Sequence, residues 1–389
     1  MASELSKLRR DFHRHPELAF QEHRTADIVA RNLEEAGYSV RTGVGRTGVV
    51  GELANGPGPV VALRADMDAL PIQEEGTHDY RSTVPGVMHA CGHDAHSASL
   101  LGAARLLAEM HREGQLPPGS LRLLFQPSEE STDEEGKSGA TRMTEDGAME
   151  GVDAIGGLHV GAHLPSGKVF IKDGPLMAGS DDLRIEVRGR SSHAALPHEG
   201  VDALVLAAQG ILGVQSVVSR HLSPMEHGVV TLGTVEGGAA PNVVPERIVL
   251  EGTLRYFNEE VRERLLDGVR GVFHGLEAQG GSCRVTVKPG YPPLTNHPEA
   301  TEAARRAALR LVTEDELWEA EPMMGAEDFA ILAGVAPGVF LWLGAALPDP
   351  REHHNPHFDI DEEVLPLGAA LLAGLGEELL ARFGKPPGS

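Results

Sequence analysis

VVALRAD, residues 60 to 66, is an apolar run that closes on an acid. Its length suits a strand, and its near-continuous hydrophobicity suits a strand buried on both faces. Working outward, VVGELA (49–54), LRLLFQ (121–126), DAIGGLHV (153–160) and GVFLWLG (338–344) follow the same grammar. Helical apolar spacing over 3–15, 21–36, 94–113, 137–146 and 364–382 places helices before, between and after these strands, and Gly37 stops the second helix. Strands alternating with helices predict an α/β fold built on a mixed sheet covered on both faces.

From about 176 to 290 the pattern changes. DDLRIEVRGR, GVVTLGTVEGG, ERIVLEGTLRYF and CRVTVKPG alternate apolar with polar, and helical segments cover 199–219 and 259–279. Alternation predicts an antiparallel sheet with one face solvated and the other covered by helices. The expected organisation is therefore one domain made of 1–175 and 291–389, with an α+β domain of an antiparallel sheet plus two helices inserted at 176–290. The compositionally biased stretches are short: Pro117 to Gly119, the acidic SEESTDEE loop at 128–135 and the Gly/Pro/Lys tail.

A chain of 389 residues with 41% hydrophobic content can bury a large core. Its 34 basic residues against 57 acidic ones leave 34 − 57 = −23, a field that repels nucleic-acid backbones and anionic membrane surfaces. Neither is an expected partner, and no stretch is expected to approach the roughly 18 to 20 apolar residues of a membrane span. Two cysteines, Cys91 and Cys283, cannot build a disulfide framework, and the start, MASELSKLRRDFHRHPE, has no secretory pattern. These features point to a reducing, cytoplasmic setting.

The chemistry lies where the strands end. VVALRAD leads into Asp66 and Asp68, LRLLFQPS into Glu129 and Glu130, and DAIGGLHV delivers His159. Ligands of open α/β sheets bind outside the carboxyl ends of the strands, so these groups are expected to converge. MHACGHDAHSA (88–98) adds His89, Cys91, His93 and His96, and EHHNPHF (352–358) adds His353, His354 and His357. Any single histidine here reads equally well as a cap or surface group. Together, Cys91, His93, Glu130, His159 and one of the 353/354 pair supply mixed N, O and S donors sufficient for two ions. In an extended segment Glu129 and Glu130 point to opposite sides, leaving one to hold metal and the other to handle protons. The pattern does not decide which. Asp66 and Asp68 suit acceptors that orient a ligand imidazole. Cys283, Met323 and Met324 read as packing residues.

Longer motifs add a resemblance. RADMDALPIQE (64–74), MHACGHDAHSA (88–98), QPSEE (126–130), GLHV (157–160), SSHAALPHEGVDA (191–203), GTVEGGAAPNVVPE (233–246), MGAEDFA (324–330) and HNPHFDIDEE (354–363) are similar to the aminoacylase, hippurate hydrolase and auxin-conjugate hydrolase family of dinuclear metal-dependent amidohydrolases. The motifs run through nearly the whole chain. The resemblance implies a metallopeptidase-like catalytic domain with an inserted lid and dimerisation domain, acting on N-acyl amino acids. It implies that Cys91 bridges two divalent ions, with His93, Glu130, His159 and His354 as further ligands and Glu129 as catalytic base. It also implies that His193 stabilises the oxyanion, in related enzymes often across a dimer interface, and that Asn242 and Arg255 lie near the substrate carboxylate. In more distant relatives Asp66 would be a histidine ligand, which leaves it as ligand or orienter. A thiolate with imidazoles favours zinc, with manganese, cobalt or nickel as alternatives. A homodimer or homotetramer through the inserted domain is expected. The rivals are a dipeptidase or carboxypeptidase with the same chemistry, a non-catalytic metal-binding scaffold, and a redox role for Cys91.

Overall fold

The computed structural model describes residues 2–384, so the Gly/Pro/Lys tail lies outside the described residues. The chain divides into two compact units, one of Met1–Leu176, Thr295–Glu321 and Asp328–Ser389, the other of Met177–Leu294 and Pro322–Glu327. The segment Pro322–Glu327 was expected in the first unit. It goes with the second because the Ala178 N–H donates to the carbonyls of Met323 and Gly325, a pairing of isolated bridges that leaves no periodicity to read.

The first unit carries an eight-stranded sheet. Its order is Ser39–Val44, Gly48–Asn55, Gly119–Gln126, Val60–Asp66, Ala154–Gly161, Gly338–Gly344, Val169–Ile171 and Leu317–Glu319. The inner four, Gly119–Gln126 through Gly338–Gly344, are mutually parallel, and antiparallel pairings flank them, so the sheet is mixed. Every residue of Ala154–Gly161 and of Gly338–Gly344 is buried, the condition that their continuous apolar runs require. Helices His93–Arg112 and Leu365–Phe383 contribute Leu100, Leu107, Leu372 and Leu375 to the core that also holds Leu63 and Leu123. The register sets Asp66 opposite Gln126 and His159 opposite Trp342. The strands 39–44, 169–171 and 317–319 escaped sequence reading because they are too short, or too exposed, to show a period.

In the second unit four antiparallel strands run in the order Gly228–Gly237, Arg247–Tyr256, Gly179–Arg188, Ser282–Pro289. Helices Ala203–His221 and Glu259–Leu276 cover one face, burying Leu206, Val214, Val269 and Phe273 against Ile185 and Ile248. Asp202 and Asn258 start these helices by accepting backbone N–H groups with their side chains.

Two helices, Ala203–His221 and Glu362–Phe383, are long and apolar enough to cross a membrane, which corrects the expectation that no stretch reaches that length. The most apolar window of the second is 67% buried inside the protein, as a core helix is.

The helix Ala2–Arg14 is fastened by charge. Arg9 is fully buried, with Nε 2.8 Å from Asp94, Nη2 3.1 Å from Asp359 and Nη1 3.2 Å from Glu362. Burial alone would raise the Asp94 pKa, but Arg9 and His13 hold it well below its usual 3.8. A depressed carboxyl contributes stability above its unfolded pKa and loses it as pH falls. Arg9→Met is expected to cost about 3–5 kcal/mol at pH 7, because it strands buried carboxylates. Urea unfolding should show that difference shrinking once the pH drops below about 3.8.

Candidate metal centre

Cys91, His93 and His96 reach the site through one local device. Gly92 lies in the left-handed region (φ +90) just before the helix His93–Arg112, and a Cβ there would run into Val160. The turn delivers Cys91 and His93 side by side at the C-terminal ends of the parallel strands. One nitrogen, oxygen or sulfur donor from each of Cys91, His93 and His159 lies within 4.8 Å of the others, and so do those of Cys91, Glu130 and His354. Two groups of three thus share a single thiol.

Each imidazole is oriented from behind. His93 Nδ1 lies 2.9 Å from the Asp68 carbonyl, leaving Nε2 toward Glu130 at 3.9 Å. His159 Nδ1 lies 2.8 Å from the Val160 carbonyl, leaving Nε2 3.6 Å from Cys91 Sγ. Among the described residues, His93 Nε2 and Glu130 Oε1 are buried without an aligned hydrogen bond, although His354 Nε2 is 3.0 Å from that oxygen. Buried polar atoms left this way are costly unless something pairs them. Cations fit, because the donor set is one that divalent ions take.

The electrostatics agree. Burial and the carboxylates of Glu130, Glu129 and Asp66 push the Cys91 thiol well up, so a thiolate here needs cations beside it. Burial lowers His159 well below its usual value, keeping its imidazole neutral. Burial would lower His93 too, but Asp66 and Asp68 override it and raise that pKa to about 10. Between the two adjacent histidines, His354 faces Glu130, while His353 Nε2 accepts the Ala162 N–H at 3.1 Å and burial pulls its pKa down to about 3.

Asp68 organises the acid pair. Its Oδ1 accepts the Glu129 N–H and its Oδ2 the Glu130 N–H, each at 3.1 Å. The segment is a bend that follows Ser128 at φ +47, so the expectation of opposite-facing side chains for extended chain does not hold. A carboxylate oxygen of Glu129 and one of Glu130 both lie within 4.8 Å of a His93 ring nitrogen. Both oxygens of Asp66 are engaged: Oδ1 is 2.7 Å from His96 Nδ1, and Oδ2 accepts from Arg64 at 2.7 Å while lying 3.7 Å from His93 Nε2. His96 Nε2 then accepts the Val160 N–H at 2.9 Å, next to His159.

Sequence reading missed three contributors. His96 was quoted without a role. Glu22 accepts the N–H groups of Phe20 and Ser128, both at 2.9 Å, and so holds the strained residue before Glu129. Asp328, in MGAEDFA, accepts from Arg64 and Gln126 beneath the site. Only membership in a long motif could have flagged Asp328. The remaining expected residues lie in the second unit. His193 is exposed on a two-residue strand opposite Val243, beside Asn242, whose carbonyl accepts the Ala194 N–H. Arg255 lies on the four-stranded sheet, opposite Ser180 and Val229, and is partly buried.

Residues 62–378 match the model of Peptidase family M20/M25/M40. The chain belongs to this family. Among M20 relatives it is 39% identical to N-acetylcysteine deacetylase of Bacillus subtilis over 374 residues, covering 95% of each chain. It is 38% identical to Thermostable carboxypeptidase 2 of Saccharolobus solfataricus over 377 residues, 94% of each. The solved structure of the Bacillus subtilis YXEP protein, described as a dinuclear metal-binding peptidase of the M20 family, superposes with a TM-score of 0.86 at 36% identity, covering 98% of this chain and 99% of that one. As an M20 member this protein is a hydrolase acting on amide bonds, and the donor groups that meet at Cys91 are of the kind that could hold divalent ions.

Asp68→Ala removes a histidine-orienting carboxylate and the anchor of the 129–130 bend together. Metal retained against graded chelator, counted by mass spectrometry, should fall about 10- to 100-fold in affinity.

Proposed function

We propose that this protein hydrolyses the amide bond of N-acyl amino acids to a carboxylic acid and a free amino acid. The observation that carries the reading is the shared thiol: two donor groups meet at Cys91, and Glu129 is seated in the same bend as Glu130. In this reading Cys91, His93, Glu130, His159 and His354 would hold the ions, with Cys91 shared between them, and zinc would be the native metal, favoured by a thiolate with imidazoles. When bound, the ions supply Lewis acidity toward the carbonyl and lower the pKa of the attacking water.

The side chains supply the rest. Glu129 takes a proton from the attacking water and delivers it to the leaving nitrogen. Asp68 fixes the backbone of that base, and Glu22 fixes the residue before it. His193 is assigned to the developing oxyanion, and Asn242 and Arg255 to the substrate carboxylate. Asp66 acts as an orienter, since both its oxygens are engaged by His96 and Arg64. The 176–290 region serves as a lid and a dimerisation surface. Its support is an apolar stripe of Leu204, Val205 and Leu212 on the helix Ala203–His221, together with the largely exposed edge strand Gly228–Gly237. Two free cysteines fit a cytoplasmic location.

A second reading, a carboxypeptidase or dipeptidase, is favoured by the similarity to Thermostable carboxypeptidase 2. A panel of N-acetyl and N-benzoyl amino acids set against dipeptides separates the two, and release confined to dipeptides would sink the first. Glu129→Gln is expected to lower kcat about 100-fold or more with two metal equivalents retained. Near-normal turnover with metals bound would remove Glu129 from its role. Light scattering should give a multiple of the chain mass, and Leu212→Glu, which charges the stripe, should shift it toward the monomer.

A further inference from the structure

Away from the side chains gathered around Cys91 and His93, a group of ligand-type side chains converges inside the first unit: His13, Glu74 and His78. His13 is fully buried, the Glu74 side chain is 2% exposed and that of His78 is 13% exposed. Glu74 Oε1 is the meeting point, 3.3 Å from His13 Nε2 and 2.9 Å from His78 Nε2. Ligands bound at about 2.0–2.1 Å in a tetrahedral site sit about 3.3 Å from one another, the spacing of His13 Nε2 and Glu74 Oε1, and the 2.9 Å of His78 Nε2 needs only a small opening to join them.

The alignment discriminates further. Neither ring nitrogen of His78 makes an aligned hydrogen bond, although Nε2 is within ordinary hydrogen-bond distance of Glu74. Two ligands of one ion show this geometry, because each lone pair points at the cation and not at the other ligand. His13 is arranged as ligand histidines usually are: Nδ1 is 2.7 Å from the Asp94 carboxylate, which directs Nε2 toward Glu74. His13 Nε2 stands in hydrogen-bond contact with Glu74 Oε1 at 3.3 Å, so with Nδ1 protonated toward Asp94 the Nε2 atom either donates to that oxygen as an imidazolium or shares a cation with it.

The surroundings are shaped for this convergence. Glu74 Oε2 accepts the Ser82 N–H at 2.6 Å, and the His78 ring stacks on Tyr80 at 3.9 Å. Position 76 is glycine, and a Cβ there would stand 2.8 Å from His78 Nε2 and 3.0 Å from Glu74 Oε1. Charge points the same way. Asp94, Asp359 and Glu362 pair with the fully buried Arg9 guanidinium, Arg10 and Arg351 lie at the rim on Glu362 and Asp359, and Glu74 faces the imidazoles of His13 and His78. Among these pairs no guanidinium reaches Glu74, so its charge is balanced at the two imidazoles or by a cation held between them.

We propose that His13, Glu74 and His78 hold a third divalent cation, zinc by its two-imidazole, one-carboxylate donor set, separate from the pair at Cys91. The ion would tie the helix Ala2–Arg14 to the 74–82 loop. The inference does not rest on the hydrolase reading, since it is tested by counting metal with no substrate present.

Protein saturated with zinc and freed of excess by gel filtration should carry three zinc per chain by mass spectrometry. His78→Phe, which keeps a ring against Tyr80 and offers no donor, should carry two and retain kcat. Anomalous diffraction at the zinc edge from wild-type crystals grown from that same protein should place a peak bonded to His13 Nε2, Glu74 Oε1 and His78 Nε2. This decides the matter even if the variant does not fold. Two zinc in the wild type, three in both proteins, or no peak at these atoms would overturn the proposal and leave a His13 imidazolium as the balancing charge.

Discussion

The Asp68 carboxylate holds the metal centre together. It is almost entirely buried two residues past the strand Val60–Asp66, and it accepts the backbone N–H groups of both Glu129 and Glu130 while lying 3.2 Å from His93 Nδ1. A buried carboxylate survives only where donors replace the water it has lost, and here those donors are the parts that must be positioned. One group therefore sets the spacing between the first turn of the helix His93–Arg112 and the bend after Gly119–Gln126. Loss of any partner leaves the others mis-set.

Behind that group the buried charges form two webs on the helix His93–Arg112. Arg64 donates to Gln126, Asp66 and Asp328, and Asp66 passes through His96 to the Val160 N–H at the end of the strand that carries His159. Arg9, Asp94, Asp359 and Glu362 make the other, joining both ends of the chain to the same helix. Buried ion pairs are weak sources of net stability, since desolvation offsets most of the attraction. Their contribution here is geometric: each carboxylate has one set of partners that satisfies it, and that set fixes where ligand-bearing segments stand.

The centre accounts for the type of bond cleaved and is silent on the acyl group. Relatives named for deacetylation and for carboxypeptidase activity are similar to this chain to nearly the same degree. Specificity between them must lie in residues that meet the substrate's two ends and not in the donors that meet the ions.

Much of the first unit could be read from residues alone. VVALRAD and GVFLWLG announced doubly covered strands, and MHACGHDAHSA, QPSEE and GLHV announced mixed donors that the structure brings together, because hydrophobic period and ligand chemistry are local properties. The choice of His354 over His353 came from a family motif, and only the structure shows that His353 is engaged with the Ala162 N–H. The hold of Glu22 on Ser128, the pairing of Asp66 with His96 and the convergence of His13 on Glu74 and His78 leave no trace in spacing. Periodicity records which face of an element is apolar. It does not record which strand lies next to which, and a hydrogen-bond partner 30 or 106 residues away is fixed by that non-local register.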